Sequence, residues 1–248
     1  MENREYSVLI LGNFESFYVV QYVKNLKKVN PQAHLFFWGY TREKNDTDRS
    51  FLSCYDEYCF FDIKRLMNSS ALGKLTIVSE LRKSFRTFVL GKHFDYVNIQ
   101  YIKPEYSFLL DYFKQISSKL VLTPWGSDVL AVNRFYKFFV KRLFNAADFI
   151  TGEEGRFTQD VKRIFKVPES KMVHCVIGFE PIEYIFEHKK ETDINEAKRQ
   201  LGIDNHYTIT CGYSANQVHR HLEIIEAIHQ VQNRRSEERR VGKECRSR

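Results

Sequence analysis

Short apolar runs alternate with helix-period segments from residue 6 to residue 178, and this pattern constrains the fold more than any other feature of the chain. The runs are Tyr6–Leu11, His34–Gly39, Tyr58–Asp62, Tyr96–Gln100, Lys119–Thr123, Asp148–Thr151 and Met172–Ile177. Their length suits strands. Between them, Glu15–Lys28 repeats Phe17, Val20, Val23 and Leu26 at three-residue steps, which predicts a helix. Residues 71–90, Asn133–Phe144 and Glu154–Lys166 also read as helices, and Pro104 opens another that runs to Ile116. The strands are continuous apolar runs rather than period-two alternations. That predicts an α/β fold, a Rossmann-like parallel sheet covered on both faces. Ligands of such sheets bind outside the carboxyl ends of the strands. Gly12-Asn13, Gly39-Tyr40, Gln100-Tyr101 and the turn after Thr123 are therefore expected to rim a cleft.

The pattern changes after Gly178. Residues 183–198 are charged and weakly apolar, and read as a connector into a helix ending at Leu201-Gly202. Tyr207–Cys211 reads as a strand, Gly212-Tyr213-Ser214 as a turn, and Val218–Gln230 as a helix. This is the opening of a second α/β unit, too small to bury a core of its own. The expected organisation is a first domain at 1–180, a linker and incomplete second domain at 181–234, and a tail at 235–248. The tail has six Lys/Arg and three Glu, and no apolar periodicity. It resembles the in-frame translation of a sequencing adapter and is expected to be non-native.

Charge and cysteine content narrow the function classes. The tail supplies three of the seven net positive charges, so residues 1–234 carry the other four. No run of about 18 apolar residues is present, so no membrane-spanning helix is expected. Met1–Glu5 carries no apolar stretch or small-residue cleavage site, so no signal peptide is expected. Five cysteines without a Cys-x-x-Cys pair predict reduced thiols and a cytoplasmic setting.

Three segments carry candidate chemistry. Thr123–Leu130 reads Thr-Pro-Trp-Gly-Ser-Asp-Val-Leu after a strand. Asp128 either contacts a substrate hydroxyl or caps the next helix; Trp125 either stacks on a sugar or packs. Cys211–Asn216, followed by His219 and Arg220, offers a glycine turn and a helix N-terminus that could hold a phosphate. His219 and His221 would point different ways on a helix, which disfavours a metal site. Arg134–Phe144 places Arg134, Lys137 and Lys141 on one helical face, with Phe135, Phe138 and Phe139 elsewhere. It reads either as a membrane-surface helix attracted to anionic lipid or as a helix packing its aromatics on the sheet. No nucleic-acid module accompanies the basic residues. Gly12–Ser16 lacks the glycines of a dinucleotide fingerprint, and no P-loop, Gly-x-Ser-x-Gly or His-Glu-x-x-His occurs.

Taken in order, these pieces resemble the family 4 retaining glycosyltransferases. Gly12 matches that family's glycine after the first strand. Residues 123–128 are similar to its segment ending in Gly-Ser-Asp. Ala147–Thr151 and Lys171–Glu180 resemble its run into the interdomain linker, with Gly178 and Glu180 in place and Phe179 standing for an aliphatic residue. Cys211–Tyr213 and Ile224–Ala227 resemble the first strand, turn and helix of its donor domain. His219-Arg220 stand where the family usually has Lys-Gly, and its paired glutamates fall beyond this sequence.

The resemblance implies the N-terminal half of a GT-B fold and the start of a second Rossmann-like unit. It implies a nucleotide-sugar donor as substrate, no bound cofactor and no obligatory metal. The acceptor side would use Gly12, Asn13, Trp125, Gly126 and Ser127, with Asp128 as the catalytic candidate. The donor phosphates would meet Gly212, Tyr213, Ser214 and Arg220. A lipid-linked glycan acceptor, reached through residues 134–144 at the inner face of the cell membrane, and a role in cell-surface polysaccharide synthesis would follow. Residues 1–248 alone are expected to be inactive. The competing expectations are a non-catalytic binding domain and another two-Rossmann enzyme such as a nucleotide-sugar epimerase.

Overall fold

The computed structural model describes residues 5–14, 16–40, 50–61, 71–130, 133–175, 181–191, 193–203 and 222–231. The chain divides into two compact units, Met1–Glu183 and Tyr184–Arg248.

The first unit is built on a seven-stranded sheet. Its strands are β1 (Ser7–Asn13), β2 (His34–Tyr40), β3 (Glu57–Phe60), β4 (Phe94–Gln100), β5 (Ser117–Thr123), β6 (Phe149–Gly152) and β7 (Met172–His174). Every pairing is parallel, in the order β3-β2-β1-β4-β5-β6-β7. The order runs one way from β1 to β3 and the other way from β4 to β7. The switch point therefore falls between β1 and β4, where doubly wound sheets open a crevice.

The connecting helices are α1 (Phe17–Val29), α2 (Ala71–Val89), α3 (Leu110–Ile116), α4 (Ser127–Leu130), α5 (Arg134–Ala146) and α6 (Arg156–Phe165). Pro104 opens a 3-10 turn, Pro104–Leu109, that runs into α3, so the single helix expected over 104–116 is two pieces. Asn133 caps α5 by accepting a hydrogen bond from the Tyr136 N–H at 2.9 Å.

Two cores result, one on each face. Val8, Ile10, Leu35 and Phe37 pack under Val19 and Val23 of α1 on one side. Leu9, Val97, Ile99, Leu120, Leu122 and Ile150 pack under α2, α3, α5 and α6 on the other. Phe144 of α5 and Phe165 of α6 stack at 4.2 Å between ring centroids.

The sheet thus carries helices on both faces, but the cover is uneven. Among the described residues the α1 face is covered over Asn98 and Gln100 of β4 and only partly covered at Tyr96, β5 and β7. In β5, Leu120 and Leu122 are buried, whereas Lys119 is exposed and Val121 and Thr123 are half-buried. Tyr96 and Val173 are exposed on β4 and β7. The expected parallel sheet with helices on both faces is what the structure has; within β5 the apolar run hides an alternation, and one face of that strand is only partly covered.

In the second unit, Ile194–Gln200 is a helix capped by Asp193, which accepts from the Asn195 N–H at 2.9 Å. Residues 222–231 are also helical. Pro181–Glu191, read from sequence as part of a connector, is a helix opened by a proline at its first position, where the missing N–H costs nothing. The expected strand Tyr207–Cys211 and its turn lie outside the described residues. No helix among the described residues is long and apolar enough to cross a membrane.

Candidate site at the strand switch point

Three backbone devices build the rim at the carboxyl ends of β1, β4 and β5. The first is a close contact. Gly12 of β1 and Gly39 of β2 are register partners. A Cβ on Gly39 would lie 2.2 Å from the Gly12 carbonyl oxygen, so no larger residue fits there. Gly12 is buried within β1, and the strand continues through Asn13. Pairing with β2 continues to the Phe14 N–H, which donates to the Tyr40 carbonyl at 3.0 Å, and the expected turn starts at Asn13, whose carbonyl accepts from the Ser16 N–H at 3.1 Å.

The second device is a left-handed residue. Tyr101, directly after β4, has φ of 64°. Such a conformation for a bulky side chain costs on the order of 1–3 kcal/mol and persists only where its surroundings impose it. Here the Tyr101 N–H donates to the Thr123 carbonyl at 3.2 Å. Its hydroxyl lies 3.5 Å from Ser127 Oγ.

The third device is Asp128, 3% exposed. Its Oδ2 accepts from the Ile102 N–H at 2.7 Å, and its Oδ1 accepts from Trp125 N–H at 3.0 Å and Gly126 N–H at 2.8 Å. Burial pushes its carboxyl above the ordinary carboxylate range, against the opposing pull of those N–H groups. The side chain therefore ties the turn after β4 to the turn after β5. It lies in the first turn of α4, and the donors it satisfies precede it rather than follow it, so it is not an N-cap. Gly126, at φ of 115°, gives this loop a conformation that L side chains rarely adopt.

These contacts present two aromatic rings at the rim. Trp125 packs edge-on to Tyr101 at 5.5 Å and to Tyr18 of α1 at 4.9 Å. Behind Trp125 lies a 320 Å³ cavity bounded by Pro124, Gly152, Glu153 and Phe157. Of the residues expected on the acceptor wall, Asn13, Trp125, Gly126, Ser127 and Asp128 stand at the strand ends of the switch region, with Gly12 buried just beneath. Tyr101 was named from sequence only as part of the rim; its positive φ has no sequence signal. Gln100 is likewise expected only as part of the rim, and Asn98 only as a strand residue. Both are buried and polar, and a polar side chain inside an apolar strand run is a signal that could have found them. The donor-side candidates Gly212, Tyr213, Ser214 and Arg220 lie outside the described residues.

No family model and no curated protein matches this chain. Among solved structures it is similar to a sucrose-phosphate synthase structure from Thermosynechococcus elongatus, at 12% identity and a TM-score of 0.48, over 75% of this chain and 97% of that one. It is similar to Anabaena HepE in complex with UDP and glucose, at 13% identity and a TM-score of 0.47, over 81% and 51%. It is also similar to a family 9 glycosyl transferase from Veillonella parvula, at 14% identity and a TM-score of 0.40, over 74% and 50%. The chain spans about half the length of the latter two structures.

Proposed function

We propose that this chain is the acceptor-side part of a retaining, nucleotide-sugar-dependent glycosyltransferase of the GT-B type. The observation that carries the reading is the rim itself. The Trp125–Asp128 segment, which resembles the family's Gly-Ser-Asp segment, lies at the strand switch region and faces an aromatic residue held in a strained conformation. In the proposed reaction the bond from the sugar's anomeric carbon to the diphosphate oxygen breaks, and a bond from that carbon to the acceptor oxygen forms on the same face. The nucleoside diphosphate leaves with the electron pair, and the acceptor hydroxyl's proton passes to the leaving phosphate. The transition state is oxocarbenium-like and needs positive groups and N–H dipoles at the diphosphate. Gly212, Tyr213, Ser214 and Arg220 are proposed for that role, with the nucleotide sugar as substrate and no resident cofactor.

On the acceptor side, Asn13, Tyr101, Trp125 and Ser127 would orient the hydroxyl. Asp128 supports this wall as a positioning residue. Its oxygens are already engaged by three N–H groups, which argues against direct acid–base work. The same observation favours the second reading, a non-catalytic binding domain. Transfer assays on the complete gene product, with a panel of nucleotide sugars and lipid-linked acceptors, separate the two readings. Turnover supports the enzyme; donor and acceptor binding without turnover supports the binding domain.

The acceptor is proposed to be lipid-linked, for cell-surface polysaccharide assembly at the inner membrane face. Support comes from α5. Val140, Leu143 and Phe144 pack on the sheet, while Phe135 and Phe138 are 68% and 65% exposed near Arg134, Lys141 and Arg142. Apolar side chains beside cations suit an anionic lipid surface. The helix begins seven residues after Ser127, so its aromatic end lies at the rim end of the sheet.

A further inference from the structure

The partly covered region of the α1 face forms a groove of about 530 Å³ that runs along the strands from Trp125 toward Tyr6. This lies within the ~300–1,000 Å³ of typical ligand sites. Its floor is a polar ladder across three strands. The Trp125 Nε1–H donates to Gln100 Oε1 at 3.2 Å, and Gln100 Nε2 donates to Asn98 Oδ1 at 2.7 Å. Asn98 Nδ2 then donates to Thr123 Oγ1 at 3.1 Å, and the Thr151 hydroxyl donates to the same oxygen at 2.9 Å.

Three features define what this groove can hold. First, among the described residues no Asp, Glu, Lys, Arg or His lines it, in a chain that is 28% charged. Burial, with Tyr6 and Cys175 nearby, pushes the Tyr22 phenol on its wall up to about 12, so this group also stays neutral. Second, the ladder uses one N–H of each amide. Asn98 and Gln100, 3% and 2% exposed, each keep a second N–H and spare carbonyl capacity while lining the cavity. Every side-chain N and O of the two amides has a partner in the ladder, and the second N–H of each suits a ligand that supplies hydroxyl groups. Third, Tyr18, Tyr22 and Trp125 form aromatic walls, which suit a ligand with flat C–H faces as well as hydroxyls.

We infer that this groove is a binding site for an uncharged oligosaccharide, several pyranose rings long, laid along the sheet face with one end at Trp125. Its use as the far subsite for a glycan acceptor rests on the transferase reading above. The binding itself does not.

The test is a titration of residues 1–248 with maltotriose, cellotriose and chitotriose, and with trigalacturonate as the charged comparator, in the absence of any nucleotide sugar. Trp125 lies in the groove and the other tryptophan, Trp38, is buried in the opposite core, so intrinsic fluorescence reports occupancy. The expected result is a saturable change with at least one neutral trisaccharide and none with trigalacturonate. Thr151→Val keeps the shape and removes one hydroxyl; it should weaken binding about fivefold, the value of one neutral hydrogen bond. Val121→Lys places a charge on the half-buried floor and should abolish binding, with an unchanged unfolding midpoint as the control for folding. The inference is overturned by the absence of binding to all three neutral sugars, by equal binding of trigalacturonate, or by binding that survives Val121→Lys. Loss of the transferase reading alone leaves these outcomes unchanged.

Discussion

At the scale of single residues, Asp128 holds the candidate site together. One carboxylate satisfies three backbone N–H groups from two loops. Asp128→Ala leaves all three without a partner in a buried place, which predicts a loss of about 3 kcal/mol in urea unfolding. Asp128→Asn keeps one oxygen acceptor and should lose less. Gly126→Ala meets little steric obstruction, since its nearest neighbour would be Phe157 at 3.9 Å. Its cost is backbone strain, expected at about 1–2 kcal/mol. Gly39→Ala is a harsher change of the same size, because its methyl group would meet a backbone carbonyl at 2.2 Å. It should push β1 and β2 apart and abolish stable folding, read as loss of near-UV circular dichroism. These roles were unequally legible in the sequence. The glycines and the Trp-Gly-Ser-Asp run mark a loop at a strand end, but whether Asp128 faces substrate or backbone depends on where β4 ends. That is set by tertiary pairing 26 residues away. The left-handed Tyr101 is invisible for the same reason.

At the scale of elements, all seven strands of the sheet were legible as apolar runs of strand length, set off by helical periods or, between β2 and β3, by the polar stretch 41–49. The partial cover of one face of β5 was not legible. Lys119, Val121 and Thr123 alternate with Leu120 and Leu122, and this half-exposed pattern sits inside what reads as a continuous run. The β5–β6 pairing has a pH-sensitive fastening. Asp148 accepts from the Leu120 N–H at 2.9 Å and pairs with Lys119 at 3.1 Å. Partial burial alone would raise its pKa, but the Leu120 N–H, Lys119 and Lys171 together hold it below 3.8. A carboxyl with a lowered folded pKa contributes stability above its unfolded pKa and loses it as the pH falls through the folded value. Asp148→Asn should therefore cost at most about 1 kcal/mol at neutral pH, given solvent screening, and nothing in strong acid. Urea midpoints across that pH range check the sign.

The helix α5 offers a second element-scale test. Phe135 and Phe138 are exposed, so replacing both with Ser should leave the unfolding midpoint unchanged. If α5 meets lipid, the double variant should bind vesicles of phosphatidylcholine and phosphatidylserine at least about tenfold more weakly, because each buried Phe is worth about 1.5–3 kcal/mol. The residual binding should fall with added salt. Unchanged vesicle binding would remove the membrane reading and leave α5 as a helix that packs one face on the sheet.

At the scale of the molecule, a seven-stranded parallel sheet brings a rim and a face groove together at Trp125. The rim is strained and held by backbone hydrogen bonds; the groove is neutral and amide-lined. The residues named for both lie in the unit Met1–Glu183. The rim is proposed to hold a sugar acceptor for transfer from a nucleotide sugar. The most direct measurement is radiolabelled sugar transfer by the gene's complete, uninterrupted translation product, assayed beside residues 1–248 with the same donors and lipid-linked acceptors. Retained-configuration product is expected from the complete protein and none from residues 1–248. No transfer by the complete protein with any donor, or turnover by residues 1–248 alone, would contradict the proposal.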